Sequence, residues 1–450
     1  MFKSIKHSSR YIVSLSIVAL LGACGSNGNE GVNSVEDGSS QLVSAKVIED
    51  VNTSTMLQVV QSAIDPTATN AFGYKAVKIT YNTVGQDDKP VVASGLLVLP
   101  TPSDAYKAYL ASVGKAFSVS MLCDNHGTVF TNAEVPSNVE VTNGLPDYSL
   151  AVLMTGVAGF AAILPDYIGY GDSNDVSHPY ILEKASARAS LDMIKASMKY
   201  MSDNHVLLNY QLYVSGYSEG GYIAMSLAQE IEKNFASNVN LKGVAPMAGP
   251  HDLVALGNIE IDASHIMVYP AFLGYLADSY SYYFSDIELS ELVNEPDTVL
   301  FHSLFDGSKS NVAIHTSLGL VTDARAGFNQ HTADALFKTS FIDDYKNDLN
   351  TGLAFKNKLK ENSVYDWTPT TKMNLIHCVD DEIIPFSMSQ TAYDKFIANG
   401  ASTSNVTLTP IPTSIIPAAS ATDPFVHGRC GQTAYGAAVQ WFDAIRQGKI

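Results

Sequence analysis

The sequence has few cysteines and few basic residues, and each shortage excludes a class of protein. Its four cysteines in 450 residues are too few for a disulfide scaffold and lack zinc-finger spacing. The 27 basic residues are outnumbered by 45 acidic ones, so the formal net charge is −18. A surface this negative repels phosphate backbones, and we expect no nucleic-acid partner. Metalloprotease, Walker and dinucleotide-binding motifs are also missing, so we predict neither a metal nor a cofactor.

The composition that remains is that of a globular protein. Hydrophobic residues make up 46% of the chain and charged residues 16%. The length suits two or three average domains, or one large α/β domain that carries an insertion.

The N-terminus has the features of a bacterial lipoprotein signal. Lys3, Lys6 and Arg10 precede an apolar run that is too short to span a bilayer. The run ends in Leu21-Gly-Ala-Cys24, which resembles the lipobox. That resemblance implies cleavage before Cys24 and lipidation of its thiol. The alternative is an ordinary signal peptide with an incidental cysteine.

We therefore divide the chain into three parts. They are a lipoprotein signal peptide over 1–23, a flexible tether over 24–45 that is rich in Gly, Ser and Asn, and a folded domain over 46–450. By analogy with lipoprotein sorting, Gly25 after the cysteine indicates the outer membrane. We expect an exported protein whose one membrane contact is its N-terminal lipid anchor.

From about residue 70 the sequence alternates between apolar strands and helices. Strands are predicted over 74–81, 91–99, 117–123, 160–165, 211–216, 241–248, 373–377 and 406–410, and helices over 150–159, 183–203 and 432–447. Continuous apolar strands that alternate with helices predict a mostly parallel sheet of about eight strands, covered on both faces. The stretch from about 254 to 366 has no clear strand, and we interpret it as an inserted helical cap.

The segment Gly216-Tyr-Ser-Glu-Gly-Gly221 contains a G-x-S-x-G motif between an apolar strand and a helix-forming run. The glycines allow a sharp strand-to-helix turn, where side chains would collide. The helix N-terminus behind the turn offers N–H groups to a developing oxyanion. The motif predicts Ser218 as a nucleophile, and a glycine-rich turn without a catalytic role is the alternative.

A serine nucleophile needs a base, and the base needs an orienting acid. In the fold that carries this motif, both follow the serine, in the order acid and then histidine. Three histidines lie downstream and outside the cap: His251, His377 and His427. His427 follows the last strand and precedes the final helix, so it is the predicted base. We assign the other two, at strand ends, to structural hydrogen bonding.

The acid is expected after the seventh predicted strand, where His377-Cys-Val-Asp-Asp-Glu-Ile-Ile-Pro385 has three adjacent carboxylates. The spacing D-x-x-(V/I)-P resembles that of α/β hydrolases and selects Asp381. Asp380 and Glu382 are expected to be solvated. Asp423 is a weaker rival, because a carboxylate four residues before the base is more typical of a turn cap.

An oxyanion site needs two backbone donors. One is expected from the N–H of Glu219, directly after the nucleophile, and the other from Gly127 or Thr128 in the loop after the third strand. The sequence leaves open which of the two donates. We interpret the carboxylate of Glu219 as ordinary charge complementation at a helix N-terminus.

Residues 74–447 resemble the α/β-hydrolase superfamily, specifically the secretory-lipase branch that includes fungal lipase A relatives and bacterial secreted esterases. The motifs that carry the resemblance are Ala93–Pro100, His126-Gly-Thr128, Leu164–Ser173, His178-Pro-Tyr-Ile181 and Gly216–Gly221. Glu219 stands where that branch often has Gln, and Cys378 where Gly is usual. The resemblance implies a serine carboxylic-ester hydrolase, a lipase or esterase, that acts through an acyl-enzyme. It implies a small-molecule or lipid ester as substrate and no obligate protein partner.

A serine peptidase on the same fold is the alternative. The acidic residues of the cap could bind a free amino terminus; they are Asp278, Asp286, Glu288 and Glu291. The residues before the first predicted strand are too few for the propeller that oligopeptidase relatives carry. A binding protein on an inactive hydrolase fold is a third hypothesis, and the filled triad positions argue against it.

The cap contains seven aromatic residues between positions 269 and 284. With Tyr217, three of them, Tyr269, Phe272 and Tyr275, are candidates for the wall of a substrate pocket, and packing onto the core is the alternative.

The cysteines suggest one crosslink. Cys378 and Cys430 fall in the loops expected to carry the acid and the base, so a disulfide between them is possible in an oxidising compartment. The Cα separation that decides this is not readable from sequence. Cys123 is expected to be a buried free thiol.

Overall fold

The computed structural model describes residues 41–63, 65–138, 149–320, 331–420 and 425–450. The predicted signal peptide and Cys24 lie outside these residues. The described strands are β1 (Leu42–Val51), β2 (Gly73–Val84), β3 (Pro90–Thr101), β4 (Val119–Asn125), β5 (Phe160–Pro165), β6 (Leu208–Tyr217), β7 (Asn240–Met247), β8 (Met373–Cys378) and β9 (Val406–Ile411).

The nine described strands form one sheet, in the order β1-β2-β3-β5-β4-β6-β7-β8-β9. The pairs β1–β2, β2–β3 and β3–β5 are antiparallel. The remaining pairs, β5–β4, β4–β6, β6–β7, β7–β8 and β8–β9, are parallel. This confirms the predicted mostly parallel sheet, with one strand more than expected. The carboxyl ends of the parallel strands lie at one edge, which is where sites form in such sheets.

Helices cover both faces of the sheet. The described helices are α1 (Thr53–Ala63), α2 (Asp104–Ser112), α3 (Ser149–Ala158), α4 (Glu183–Asp203), α5 (Glu219–Asn234), α6 (Leu253–Glu260), α7 (Pro270–Tyr283), α8 (Leu289–Leu292), α9 (Thr298–His302), α10 (Asn311–Ser317), α11 (Thr339–Lys346), α12 (Asn350–Glu361), α13 (Ser387–Ala398) and α14 (Val426–Arg446). None of these described helices is both long and apolar enough to cross a membrane.

The core explains why the central strands are apolar throughout. Every residue of β4, β5 and β8 is buried. Met121 and Cys123 of β4 pack in one apolar cluster with side chains of α4 and α5, whereas Leu122 packs in a second cluster with α3 and α14. Because successive side chains of a strand point to opposite faces, helices on both faces bury the whole strand.

Strand β1 was not expected, and it shortens the predicted tether. It begins at Leu42, inside the stretch assigned to the tether over 24–45. Most of its side chains are exposed, and among the described strands it pairs with β2 alone, at the edge of the sheet. An edge strand that buries neither face has no apolar alternation, so the periodicity of the sequence gave no signal for it.

The last helix begins earlier than predicted, at Val426 rather than at 432. Gly428 and Gly431, which favour a loop in sequence, lie inside its first turns. His427 therefore belongs to the first turn of α14 and not to the loop before it.

The inserted segment lies between β7 and β8. Its described residues form α6 to α12 together with isolated bridges between Met267 and His331 and between Val293 and Phe337. Residues 321–330 are outside the described part. The helical character expected for 254–366 therefore holds over the described residues.

Candidate active site

Ser218 occupies a sharp turn between β6 and α5. Its φ is 61° and its ψ is −122°. This conformation has a positive φ and is energetically unfavourable for any residue other than glycine. Its N–H donates to the carbonyl of Met247 in β7, 2.9 Å away, which fixes the turn against the neighbouring strand. The strained turn presents the serine at the carboxyl edge of the sheet, as the motif predicts.

The glycines around Ser218 are required by close backbone approach. A Cβ on Gly216 would lie 2.1 Å from the carbonyl oxygen of Gly220, and one on Gly220 would lie 1.9 Å from that of Asn125. A Cβ on Gly221 would lie 2.3 Å from the oxygen of Met247. Separations below 3 Å are prohibitive, so any side chain here would push β4, β6 and α5 apart.

Asp381 and His427 form a buried hydrogen-bonded pair. Nδ1 of His427 lies 2.7 Å from Oδ2 of Asp381, and the aspartate side chain is fully enclosed. Its other oxygen accepts the N–H groups of Ile383 and Ile384 at 3.0 and 2.9 Å. Because a carboxylate only accepts, Nδ1 of His427 carries the proton, and Nε2 is left to accept one.

The pKa of Asp381 results from opposing effects. Burial raises it, but the charges and hydrogen bonds of His427 and His377 outweigh burial and hold the pKa well below its ordinary range. Asp381 is therefore ionised at any pH at which the protein is expected to work. It can hold the imidazole in one orientation and balance the charge of an imidazolium.

The other two carboxylates of this loop differ from each other. Asp380 is exposed and accepts a hydrogen bond from Thr413, in line with the expected solvated position. Glu382 is half-buried and accepts the N–H groups of Val426 and His427 at 3.0 and 3.3 Å, so the expectation that it is solvated was wrong. It caps the N-terminus of α14, a partner distant in sequence. Burial raises its pKa. Asp423, the weaker rival, lies outside the described residues.

His377 and His251 lie near the pair. Nδ1 of His377 is 2.8 Å from the hydroxyl of Ser389, and Nε2 is 2.9 Å from the carbonyl of Ile384 and 3.3 Å from Oδ2 of Asp381. His377 therefore has the structural bonds expected of it and also contacts the acid. For His251 the expectation of hydrogen bonding was wrong, since neither ring nitrogen has a partner among the described residues. Burial and the neighbouring His377 lower its pKa to about 3.

Two links join the elements that carry these groups. The hydroxyl of Tyr217, the residue before the serine, donates to the carbonyl of His427 at 2.7 Å. A disulfide joins Cys378 at the end of β8 to Cys430 in α14, with Cα atoms 6.1 Å apart, which decides the question that the sequence left open. Cys123 is a buried free thiol, as expected. The serine turn, the expected acid and the expected base thus lie together at one edge of the sheet.

The loop after β4 lies against the serine turn. A Cβ on Gly127 would lie 3.2 Å from the carbonyl of Tyr217 and 3.6 Å from Cβ of Ser218, so this glycine lets the loop lie close to the serine turn. The hydroxyl of Thr128 lies 3.0 Å from that of Tyr180. Glu219 is the first residue of α5, where N–H groups have no acceptor within the helix. The expected oxyanion residues therefore surround the serine.

A cavity of about 70 Å³ adjoins these groups. Ser218, Thr128 and Glu382 contribute to its wall, and most of the rest is apolar and includes Tyr269 and Phe272.

Two candidate pocket residues are not part of that wall. Tyr217 packs against the ring of His427, with ring centroids 5.0 Å apart. Tyr275 is buried, stacks on Tyr180 at 4.6 Å and places its hydroxyl 2.8 Å from that of Tyr170. Helical spacing explains the division, because positions 269, 272, 273 and 276 share the face of α7 towards the cavity while 275 points elsewhere.

The side chain of Glu219 has a partner that the sequence did not reveal. It stands in the first turn of α5, as expected, but it is 2% exposed and lies 2.9 Å from Nε2 of the equally buried His178. Its carboxylate therefore pairs with a histidine as well as lying at a helix N-terminus. Positions 178 and 219 are 41 residues apart, so no local pattern predicts their contact. The segment His178-Pro-Tyr-Ile181 was noted in the sequence only as part of the family resemblance.

The chain was compared with known proteins. Residues 137–449, most of the chain, match the family model for secretory lipases. No curated protein matches the sequence. Among solved structures, the rice cell wall degrading esterase LipA of Xanthomonas oryzae superposes with a TM-score of 0.73 at 22% identity, covering 89% of this chain and 97% of LipA.

Two further structures share the fold. A Legionella pneumophila protein has a TM-score of 0.72 at 22% identity, covering 90% of this chain and 98% of its own. Candida antarctica lipase A in its closed state has a TM-score of 0.60 at 14% identity, covering 91% and 82%. The likeness to these structures confirms the predicted α/β-hydrolase architecture. With the family match over most of its length, the chain belongs to the secretory lipase family and is a carboxylic-ester hydrolase.

Proposed function

We propose that this ester hydrolase acts through an acyl-enzyme on Ser218, with His427 as the base and Asp381 as the orienting acid. The hydroxyl oxygen of Ser218 attacks the ester carbonyl while its proton passes to Nε2 of His427. The tetrahedral intermediate collapses, the C–O bond to the alcohol breaks, and the imidazolium returns the proton to the departing oxygen. Water then attacks the acyl-enzyme by the same steps and releases the acid.

The observation that carries this proposal is the 2.7 Å contact between Asp381 and His427 beside the serine turn. A histidine locked with its proton on Nδ1 has Nε2 available for the serine. The ionised Asp381 stabilises the imidazolium that forms, because the pair is buried and poorly screened.

The oxyanion is proposed to bind the N–H of Glu219 and an N–H from Gly127 or Thr128. The start of α5 supports the first donor, and the approach of Gly127 to Ser218 supports the second. Such donors act on charge that develops in the transition state and are worth about 100- to 1,000-fold in kcat each.

The cavity supports a compact, uncharged acyl group as the substrate portion. At about 70 Å³ it is small beside the roughly 300–1,000 Å³ of pockets that hold drug-sized ligands. Its wall is mostly apolar, with three acidic residues, Glu219, Glu260 and Glu382, whose negative charge disfavours an anionic acyl chain. The four acidic cap residues that kept the peptidase alternative open do not contribute to the described wall, although Glu260 of the cap does.

The test compares Ser218→Ala with Ser237→Ala, an exposed serine whose hydroxyl bonds Asn238. Nitrophenyl esters of rising acyl length are the substrates, and a fluorophosphonate followed by peptide mass analysis locates the nucleophile. We expect turnover and labelling to disappear in Ser218→Ala and to persist in Ser237→Ala, with the fastest turnover on short acyl groups. Labelling of another residue, or turnover in Ser218→Ala, would refute the mechanism. Faster cleavage of aminoacyl nitroanilides than of esters would favour the peptidase.

We further propose the organisation and location of the chain. Family membership indicates export. The lipobox resemblance at Cys24 supports a signal peptide over 1–23 and a lipid anchor, followed by a tether that ends before β1 at Leu42. The catalytic domain follows, with a cap over about 254–366, and Gly25 supports the outer membrane. Cys24→Ser is expected to move the protein from the membrane fraction to the soluble fraction, and unchanged fractionation would refute the anchor.

A further inference from the structure

A buried acid–base pair beside the serine turn takes no part in the proposed mechanism. It consists of Glu219, directly after the nucleophile, and His178, from the segment before α4. Nε2 of His178 lies 2.9 Å from Oε1 of Glu219, and both side chains are 2% exposed. Burying such a pair costs free energy unless each group is satisfied, so its presence requires an explanation.

The hydrogen bonds of His178 determine how many protons the pair holds. Its Nδ1 lies 2.7 Å from the carbonyl oxygen of Ile168, which only accepts, so Nδ1 carries a hydrogen. Nε2 faces Oε1 of Glu219, and this second contact needs one more proton, on either the nitrogen or the oxygen. When that proton leaves, a carboxylate oxygen faces an imidazole lone pair without water to separate them. The contact then turns from attractive to repulsive.

The titratable groups around Glu219 and His178 are neutral, so the charges of the pair compensate only each other. Besides His178, the titratable groups of the described residues that face Glu219 are His126 after β4, Tyr167 and Tyr170 after β5, Tyr180 before α4, Tyr222 on α5 and Tyr275 on α7. Burial raises the pKa of each of these tyrosines and lowers that of His126, so all six are neutral over the working range of pH.

The pair connects both sides of the oxyanion site. Through His178 and the carbonyl of Ile168, Glu219 is tied to the loop after β5. In that loop the hydroxyl of Tyr167 donates to the carbonyl of His126 at 2.8 Å, and that of Tyr170 donates to the carbonyl of Val129 at 2.6 Å. These two bonds hold the segment that contains Gly127 and Thr128. The side chain of one expected oxyanion donor therefore anchors the loop that supplies the other.

We propose that Glu219 and His178 are a positioning pair for the oxyanion site, and that the hydrogen bond between them aligns the two donors. The proposal rests on the acyl-enzyme mechanism above. With this hydrogen bond in place, the N–H of Glu219 and the loop donor converge on one point. Loss of the bond separates the two sides and lowers kcat. KM changes little, because the donors act mainly on the transition state.

The experiment compares the full exported enzyme with Glu219→Gln, Glu219→Ala and Asp278→Asn on a short-chain nitrophenyl ester at neutral pH. Gln can donate its amide to Nε2 of a neutral His178, which keeps a hydrogen bond but removes the shared proton. Asp278→Asn is the matched control, because Asp278 is an equally buried acid that pairs with a histidine, His302, away from the cavity.

We expect Glu219→Ala to lower kcat about 30-fold and to change KM less than twofold. The decrease in kcat is smaller than the 100- to 1,000-fold, roughly, that follows the loss of a whole oxyanion donor, because the donors are misaligned and not removed. Glu219→Gln, which keeps a hydrogen bond to His178, is expected to lower kcat only about threefold, and Asp278→Asn is expected to leave kcat unchanged. A kcat as low in Glu219→Gln as in Glu219→Ala, or a change confined to KM, would overturn the proposal.

A second readout does not depend on turnover. Nitrogen-15 spectra of the histidines in Ser218→Ala, assigned with Ser218→Ala/His178→Gln, report the protons on His178 directly. We expect both ring nitrogens of His178 to be hydrogen-bonded in Ser218→Ala, and the Nε2 resonance to shift when Glu219→Ala is added. An Nε2 resonance that does not move on that change would overturn the proposal. If instead Ser218→Ala remains active, it is the proposed mechanism that fails, and the spectra still report the pair.

Discussion

The two halves of the candidate site are held together in different ways. The serine half, made of β4, β6 and α5, is fixed by backbone in contact with backbone, with glycines where a Cβ would come within 2.3 Å of a carbonyl. The acid–base half, made of β8 and α14, is fixed by side chains: the Cys378–Cys430 disulfide, the Glu382 cap and the Asp381–His427 bond. The first arrangement tolerates no added atom, whereas the second consists of separable links.

The largest expected effect separates the chemistry of the acid from its neighbours. Asp381→Asn keeps the shape but allows the wrong histidine tautomer, so we expect kcat to fall by about 10⁴-fold. Asp380→Asn, at an exposed carboxylate next to it, is the control and should stay within about twofold. Steady-state ester hydrolysis measures both. A comparable loss in Asp380→Asn would mean that the acid is misassigned.

The next effect tests the backbone contacts of the serine half. A methyl group at Gly220 meets the oxygen of Asn125 at 1.9 Å, so Gly220→Ala should destabilise the fold by about 3 kcal/mol or more and abolish turnover. Gly436→Ala is the control, since no atom of the described residues outside its own helix backbone and chain neighbours lies within 4 Å of its added Cβ in α14. There we expect a gain of about 0.5–1 kcal/mol from helix propensity. Denaturant unfolding measures the free energy of unfolding of both variants. Equal values for Gly220→Ala and Gly436→Ala would show that the serine half is no less tolerant of an added methyl group than the acid–base half.

A smaller effect tests whether the links of the acid–base half are separable. The Cys378→Ser/Cys430→Ser double variant opens a crosslink across 52 residues and should lower the free energy of unfolding by about 2–4 kcal/mol. Because Glu382 and Asp381 still hold α14, kcat should change less than tenfold at a temperature where the variant is folded. Treatment of the wild type with a reductant should give the same stability. A loss of activity that exceeds the loss of folded protein would show that the disulfide positions His427.

The smallest effect is a pH dependence from the serine half. Burial raises the pKa of Asp124 on β4 from its ordinary 3.8 to about 6. Between these values the folded state keeps a proton that the unfolded state has lost, so stability falls as pH rises through this window, at up to about 1.4 kcal/mol per unit. Asp124→Asn should flatten the slope between pH 4 and 6. Thermal unfolding across this pH range measures the slope. An unchanged slope in Asp124→Asn would show that other groups cause the pH dependence of stability.

The features that the sequence could predict are those that depend on residues close together in the chain. The serine turn is local: strand, glycines, serine and helix follow one another, so residues 211–231 were sufficient. The parallel strands were found because burial on both faces leaves continuous apolar runs.

What the sequence did not predict depends on partners far along the chain. Glu382 caps a helix 44 residues away, Glu219 pairs with a histidine 41 residues before it, and β1 has no apolar face to mark it. The early start of α14 was missed because two glycines favour a loop locally, whereas the Glu382 cap and the disulfide hold them in a helix.

The position of strand β1 has a consequence for any chain that is held by its N-terminus. Tension applied there would reach the ladder between β1 and β2, which begins with the pairing of Leu42 and Tyr81. The strand that leads to Ser218 lies five positions further across the sheet, about 24 Å away at the usual strand spacing. Pulling would therefore load an exposed edge ladder, and β1 would separate before the strands around Ser218 bear the force. In such a chain the edge strand would shield the candidate site from tension at the N-terminus.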